Sequence, residues 1–356
     1  MVYAIAAIVI AFAVAIDRVR TKRTKLLLLA GLAVLLAVAP RLGGSDASVN
    51  ALVDIGIYVV LALGLNVVVG FAGLLDLGYA AFFAIGAYTY AMLAGPQFGL
   101  HLPFWVLLFL AAALASLFGI VLGAPTLRLR GDYLAIVTLG FGEIVPQVFQ
   151  NLTKYTGGPN GIGALDVPTF FGIPFGQSAL PYYYVTLAAI ALTLLLTNNL
   201  RASRLGRAWM AIREDQLAAA HAGIDTTRSK LAAFALGASF SGFAGVIFAA
   251  KLSLVSPDLF QFQVSVLVVS MLVLGGMGNI PGVVVGAVLL GLLNGTVLPQ
   301  LDTIATDVLH VHADLTQASF LIYGVILVGL MLFRPEGLLP DRERRAEMHA
   351  APNEVV

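Results

Sequence analysis

The sequence predicts an all-α protein, a polytopic transmembrane helical bundle with a short amphipathic helix at the membrane surface. Apolar residues make up 60% of the 356 residues and charged residues 11%, and the mean hydropathy is +0.95. Apolar runs long enough to cross a bilayer recur along the whole chain. The chain has 0 cysteines, which excludes disulfides, thiolate metal ligands and cysteine nucleophiles.

Apolar runs separated by glycine, proline or charge predict about eleven spans. The predicted spans are 1–16, 26–39, 50–70, 76–94, 104–124, 132–150, 182–198, 231–250, 263–277, 281–298 and 318–333. The first has no basic residue before it, so we interpret it as a span and not as a secretory signal. The spans and their connections give one membrane domain, residues 1–340, followed by a polar tail, 341–356, that we expect to be disordered.

The basic residues predict the orientation of the bundle. If the connection 201–230 is cytoplasmic, strict alternation places seventeen of the 20 Lys and Arg residues inside, and only Arg41, Lys154 and Lys251 outside. Inner loops are enriched in Lys and Arg. The N-terminus is therefore predicted outside and the C-terminus inside. The longest outward loop, about 151–181, contains TGGPNGIG and is expected to form structured turns.

Two glycine-rich stretches interrupt the apolar sequence with almost no loop. They are GFAGLLDLG at 70–78 and LGGMGNIPG at 274–282. Non-helical backbone at membrane depth is tolerated where protein or water satisfies its polar groups, and such breaks often line transporter sites. The alternative for both is an ordinary tight turn at the cytoplasmic surface. Gly282 with Gly286, Gly291 with Gly295, and Gly119 with Gly123 also have the spacing that lets helices approach closely.

Few ionisable residues fall within the predicted spans, and each is costly in hydrocarbon. Asp54 and Asp132 lie near span ends, where water or local pairing explains them. Glu143 lies in the middle of the 132–150 span, beside Pro146, and is expected to face a pathway or the bundle interior; the alternative is a structural hydrogen-bonding role. Four polar residues at predicted membrane depth are candidates for a translocation path: Asp76, Tyr79, Glu143 and Asn279.

The longest polar interval with helical periodicity is 201–230. Leu205, Trp209 and Ile212 share one helix face, while Arg207 and Glu214 lie on the opposite face. This pattern predicts a short amphipathic helix that lies against the membrane surface or binds another protein. The alternative is a solvated loop that only joins two spans.

No nucleotide, metal or catalytic motif is present in the sequence. GxxxxGK[ST], HExxH and GxSxG do not occur, and the histidines at 101, 221, 310, 312 and 349 are scattered. We therefore predict no catalytic residue, no cofactor and no metal site in this chain. An integral membrane enzyme is disfavoured, whereas a proton-coupled secondary transporter with Glu143 as the carrier is an alternative to a transporter driven by partner proteins.

Several long motifs, in collinear order over most of 50–300, resemble one family. They are GLLDLGYAAFFAIGAYTYA (73–91), LRLRGDYLAIVTLGFGEIV (127–145), TGGPNGI (156–162), LGRAWMAIRED (205–215) and VLGGMG (273–278). The chain resembles the larger permease subunit of high-affinity branched-chain amino acid ABC importers. The related permeases for urea and short-chain amides look similar, so that cargo is the closest alternative.

The resemblance implies a multi-pass protein of the bacterial cytoplasmic (inner) membrane that imports leucine, isoleucine and valine. Its implied partners are a second homologous permease, cytoplasmic ATPase subunits that bind the ATP, and a periplasmic or surface-tethered substrate-binding protein. It also makes 201–230 a cytoplasmic coupling loop, in which Glu214, Ala218, Ala219 and Gly223 form a loose Glu-Ala-Ala pattern. Asp215 directly after Glu214 departs from that pattern. The residues assigned to ATPase coupling are Arg207, Trp209, Arg213, Glu214, Asp215 and Gly223.

Overall fold

Helices dominate the structure, a computed structural model. It describes residues 1–19, 24, 28, 31–32, 35–42, 45–126, 132–170, 173–176, 178–302, 319–334 and 336–340. The predicted disordered tail 341–356, part of the predicted span 26–39 and the basic residues at 20, 22, 23, 25, 128, 130, 342, 344 and 345 lie outside these residues. The prediction of an all-α polytopic bundle is confirmed, since seven of the described helices are long and apolar enough to cross a membrane.

Each predicted span other than 26–39 coincides with a helix. The helices are α1 (Val2–Arg18), α2 (Asp46–Leu65), α3 (Tyr79–Leu93), α4 (Phe104–Thr126), α5 (Asp132–Asn151), α6 (Thr153–Thr156), α7 (Ala179–Ala202), α8 (Arg204–Glu214), α9 (Gln216–His221), α10 (Thr226–Leu252), α11 (Phe262–Gly275), α12 (Ile280–Leu292) and α13 (Ser319–Phe333). Two of them continue as a widened π-helical turn, α2 through Asn66–Phe71 and α12 through Leu293–Val297. Short 3₁₀ turns occupy Ala39–Leu42, Gly158–Asn160 and Pro257–Phe260.

Helix α10 lies at the centre of the bundle and packs mainly against α3 and α4. Glycines permit the approach: a Cβ added at Gly86 of α3 would overlap the carbonyl of Gly242 in α10, and one at Gly119 of α4 would lie 2.8 Å from Cβ of Ala238. The predicted spacing Gly282/Gly286 likewise brings α12 against the backbone of α11. Close packing of small residues replaces the hydrophobic driving force that is missing in lipid. A Cβ added at Gly295 would meet no atom within 4 Å among the described residues, so the close approach expected there stays a prediction.

The two ends of the bundle differ in structure. At one end, Tyr3 donates a hydrogen bond to Gln300 and Lys251 pairs with Asp54 at 2.6 Å. The same end carries the structured loop predicted at about 151–181. Within this loop β2 (Thr169–Phe170) pairs with β3 (Ile173–Pro174), and β1 (Ile162–Gly163) pairs with β4 (Leu254–Val255), which follows α10. The opposite end gathers both glycine-rich breaks and helices α8 and α9.

Candidate functional site

The connection predicted as one amphipathic helix is two helices joined at Asp215. Ser203 caps α8 by accepting a hydrogen bond from the Gly206 amide. Asp215 leaves the helical conformation, with φ −150° and ψ 111°, and its carboxylate accepts hydrogen bonds from the amides of Leu217 and Ala218 at the start of α9. The departure from the family pattern at Asp215 therefore has a physical reason: this residue ends α8 and caps α9. Gly223, with φ +84°, ends α9 in the left-handed conformation that favours glycine.

Helix α8 is docked onto the bundle by one face. The indole of Trp209 is fully buried and its N–H donates a 2.6 Å hydrogen bond to the carbonyl of Ser229 in α10; Ile212 is buried beside it. Leu205, predicted on the same face, is 41% exposed and does not take part in this contact with the bundle. The buried position at that end of α8 is Gly206, where a Cβ would overlap the Leu200 carbonyl, so only a residue without a side chain lets α8 fold back against α7.

The opposite face of α8 is free of the bundle, as predicted. Glu214 has a side chain that is 55% exposed and lies 3.9 Å from its neighbour Arg213. Arg207 is exposed and donates a hydrogen bond to the carbonyl of Ala202. Arg213 differs from these two residues: its side chain is only 21% exposed and its guanidinium donates a 2.7 Å hydrogen bond to the carbonyl of Gly70.

The first break lies between Phe71 and Tyr79, and side chains satisfy its backbone. Thr138 of α5 accepts a hydrogen bond from the Leu77 amide, and Asp76 accepts one from the Gly78 amide. Gly78 also packs against the backbone of Gly142. Thr138 lies six residues into α5, about 9 Å along its axis. Gly73 and Leu75 of this break are exposed, whereas Asp76 and Gly78 are buried, so the break begins at the surface and its later part extends into the bundle.

The second break, between Gly275 and Ile280, is tied to the first. Asn66 is fully buried in the widened turn of α2, and its side-chain oxygen accepts a 2.9 Å hydrogen bond from the Gly278 amide. Asn279 donates to Asp17 and to the carbonyl of Leu339, which connects α1 and the end of the described chain to this point. Sequence analysis missed Asn66, although an asparagine in an otherwise apolar helix, four residues before Gly70, was a usable signal.

The four path candidates do not form one cluster. Tyr79 is buried and donates its hydroxyl to the carbonyl of Gly237, so it joins α3 to α10. Asn279 is engaged at the second break. Asp76 is buried, and its second oxygen, Oδ2, has no hydrogen-bond partner among the described residues. The side-chain amide nitrogen of Asn66 is also buried and also has no partner among them.

Glu143 lies on the surface of the bundle, and the prediction that it faces the interior is wrong for this chain. Helix α5 is continuous through Pro146, and the helical period that directs Thr138 into the first break directs Glu143 outward. Gln147, one turn further along α5, lies on the same face as Glu143, whereas Thr138 faces the first break. Glu143 and Gln147 line an open groove of about 400 Å³ whose other lining residues are Ile144, Val148, Asn151 and Leu152. Among the residues that the structure describes, no group of three or more His, Asp or Glu could hold a metal ion.

A multi-pass helical bundle with two backbone breaks and a docked surface helix is the architecture of a membrane permease. The chain belongs to the family described as the permease component of branched-chain amino acid transport systems, whose model matches residues 47–333. The members of this family are transport components and not enzymes.

Relatives of known function agree with this assignment. The high-affinity branched-chain amino acid transport system permease protein LivM of Salmonella typhimurium is 43% identical over 342 residues, which cover 90% of this chain and 76% of the relative. LivM of Escherichia coli has the same identity and coverage. The permease protein LivH of the same system in Escherichia coli is 26% identical, over 81% of this chain and 93% of the relative. No solved structure matches the chain.

We predict that Trp209→Ala detaches α8 from the bundle. The change removes a buried indole and its hydrogen bond to Ser229, so the free energy of unfolding should fall by about 3–5 kcal/mol. The matched control on the same helix is Leu205→Ala, which should change it by no more than about 0.5 kcal/mol. Denaturant unfolding in detergent measures both, and limited trypsin digestion after Arg207 reports detachment. Equal effects of the two variants would contradict the docking geometry.

Proposed function

We propose that this chain is the membrane-spanning permease subunit of an ATP-driven importer for branched-chain, hydrophobic amino acids. The observation that carries the proposal is membership of the family over residues 47–333. The names of the relatives also favour amino acids over urea or short-chain amides, since LivM and LivH are both named as permeases for branched-chain amino acids. The chain lies in the cytoplasmic membrane with its N-terminus outside and its C-terminus inside.

The partners follow from this function. LivM and LivH of Escherichia coli are named as two permeases of one kind of transport system, and both are similar to this chain. We therefore infer a second, homologous permease. Cytoplasmic ATPase subunits bind the ATP, and a periplasmic or surface-tethered protein delivers the substrate. The exposed face of α8, with Arg207 and Glu214, meets an ATPase subunit, while Asp215 and Gly223 shape the end of this docking element.

The translocation path is proposed to run where the bundle is polar at membrane depth. Asp76 has a buried carboxylate oxygen without a described partner, beside the start of α3. Tyr79 and Asn279 hold the helices around the two breaks. Glu143 lies on the outer surface of the bundle, in the groove on α5, and is proposed to line the path from that side. A carboxylate near the middle of a membrane helix is costly in lipid, so we assign this groove to the contact with the second permease.

Uptake of radiolabelled leucine into proteoliposomes tests the proposed function. The full assembly of this chain, the second permease, the ATPases and the binding protein should accumulate leucine only with ATP, and isoleucine and valine should compete. Omitting any component should abolish uptake. Uptake by this chain alone that collapses with a protonophore would establish a secondary transporter instead, and competition by urea would change the cargo.

Charge reversal on α8 tests the ATPase contact. Glu214→Arg replaces an anion on the exposed face of α8 by a cation. ATPase subunits should therefore co-purify at least about fivefold less, as expected for losing roughly 1 kcal/mol or more at an interface. The thermal stability of the permease should not change. The matched control is Asp46→Arg, the same charge change at the opposite end. Unchanged co-purification of Glu214→Arg would overturn the coupling assignment.

Photocrosslinking tests the groove on α5. Because the sequence has 0 cysteines, Ile144→Cys can carry a benzophenone maleimide as the only label. Illumination should form an adduct with the second permease, because the groove is in contact with that protein. Leu195→Cys, on the exposed face of α7, is the control and should react only with lipid. Adducts from Leu195→Cys but not from Ile144→Cys would place the interface elsewhere, and adducts with a second copy of this chain would change the partner.

A further inference from the structure

Helix α8 is held by two anchors that lead to different parts of the bundle. Trp209 and Ile212 are buried, and Trp209 bonds to Ser229 at the start of α10. Arg213 extends in another direction, to the carbonyl of Gly70 at the end of α2. The first anchor buries a whole indole and docks the helix. The bond of Arg213 to Gly70 adds a second, separate connection, to the end of α2.

The carbonyl of Gly70 is a favourable acceptor for a cation. The last carbonyls of a helix have no intrahelical amide partner and form the negative end of the helix dipole. At the end of α2 the chain leaves the helix through a widened turn, and the amides of Ala72 and Leu74 bond back to Val67 and Val68. The guanidinium of Arg213 satisfies the Gly70 carbonyl at 2.7 Å, in a charge-assisted hydrogen bond.

Gly73 is shaped to receive the arginine. Its φ is +68°, a conformation that favours glycine. A Cβ at this position would lie 2.8 Å from Cγ and 3.2 Å from Cβ of Arg213. The first glycine of the motif GLLDLG therefore has a specific role, because any side chain there would push the arginine away from its acceptor.

The same turn holds the two breaks together. The side chain of Asn66 fills the space beside Gly70, where a Cβ would overlap its oxygen, and that oxygen also accepts the hydrogen bond from Gly278. Six residues beyond Gly70, the chain reaches Asp76 and then the start of α3. Arg213, Gly70 and Asn66 therefore form a continuous series of contacts from α8 to both breaks, separate from the bond between Trp209 and α10.

We propose that Arg213 is the positioning residue that transmits ATPase motion from α8 to the broken spans. The inference rests on the proposed function. Glu214, its neighbour, points outward and serves association with the ATPase, whereas Arg213 points inward and serves transmission. The two adjacent residues of the coupling helix thus have different roles: Glu214 binds the ATPase subunit, and Arg213 moves the backbone at Gly70, six residues before Asp76.

The test compares leucine transported per ATP hydrolysed in the full assembly in proteoliposomes. Arg213→Gln removes the charge, so the ratio should fall about tenfold, within the range of coupling free energies between protein sites, while ATPase co-purification stays normal. Arg213→Lys keeps a cation and should recover part of the ratio. Gly73→Ala, which keeps Arg213 in the sequence but displaces its side chain, should lower the ratio as well.

Two controls separate transmission from a structural role. Arg228→Gln removes a highly exposed arginine that pairs with Asp225 at the start of α10, and it should leave the ratio unchanged. A variant that is merely unstable loses uptake and hydrolysis together, so its ratio stays at the wild-type value. A wild-type ratio in both Arg213→Gln and Gly73→Ala would overturn the proposal. Failure of the proposed function would appear differently, as no ATP-driven leucine uptake by the wild-type assembly.

Discussion

Every backbone amide and carbonyl inside a membrane must have a partner, and this constraint determines how the end of the bundle with the two breaks is built. Lipid offers no hydrogen bonds, so a backbone group left unpaired costs several kcal/mol. This chain interrupts its helices twice near one end and supplies the partners from side chains: Thr138 and Asp76 for the first break, Asn66 for the second. The glycines of the breaks then bring backbones close enough for these bonds to form.

The same constraint changes the meaning of the polar residues that the sequence presents at membrane depth. Tyr79 and Asn279 each have a hydrogen bond to a distant element, so their presence is already explained by packing. Asp76 is not fully explained, since one oxygen caps the Gly78 amide and the other has no described partner. An unpaired buried polar group costs about 1–3 kcal/mol. Asp76, whose hydrogen bonds are incomplete, is therefore a stronger candidate for transport than Tyr79 or Asn279, whose hydrogen bonds are made within the chain.

The sequence predicted the helices well because membrane spans are long, apolar and separated by glycine, proline or charge. It also located both breaks and the surface helix. Its error concerns the direction of one side chain: Glu143 points outward because α5 stays helical through Pro146. Helical periodicity defines which residues share a face, but not which face meets the bundle. Bonds between distant residues, such as Arg213 to Gly70 or Asn66 to Gly278, leave no periodic signal in the sequence.

Helix α5 connects the first break with the groove proposed to meet the second permease. One face supports the first break, where Thr138 bonds to Leu77 and Gly142 contacts Gly78. The opposite face carries Glu143 and Gln147 in the open groove. A rigid helix cannot move on one face alone, because packed interfaces shift as whole elements. If the first break moves as proposed, the groove must therefore move with it, so the backbone proposed to receive the motion of α8 and the surface proposed to meet the second permease are two faces of one helix.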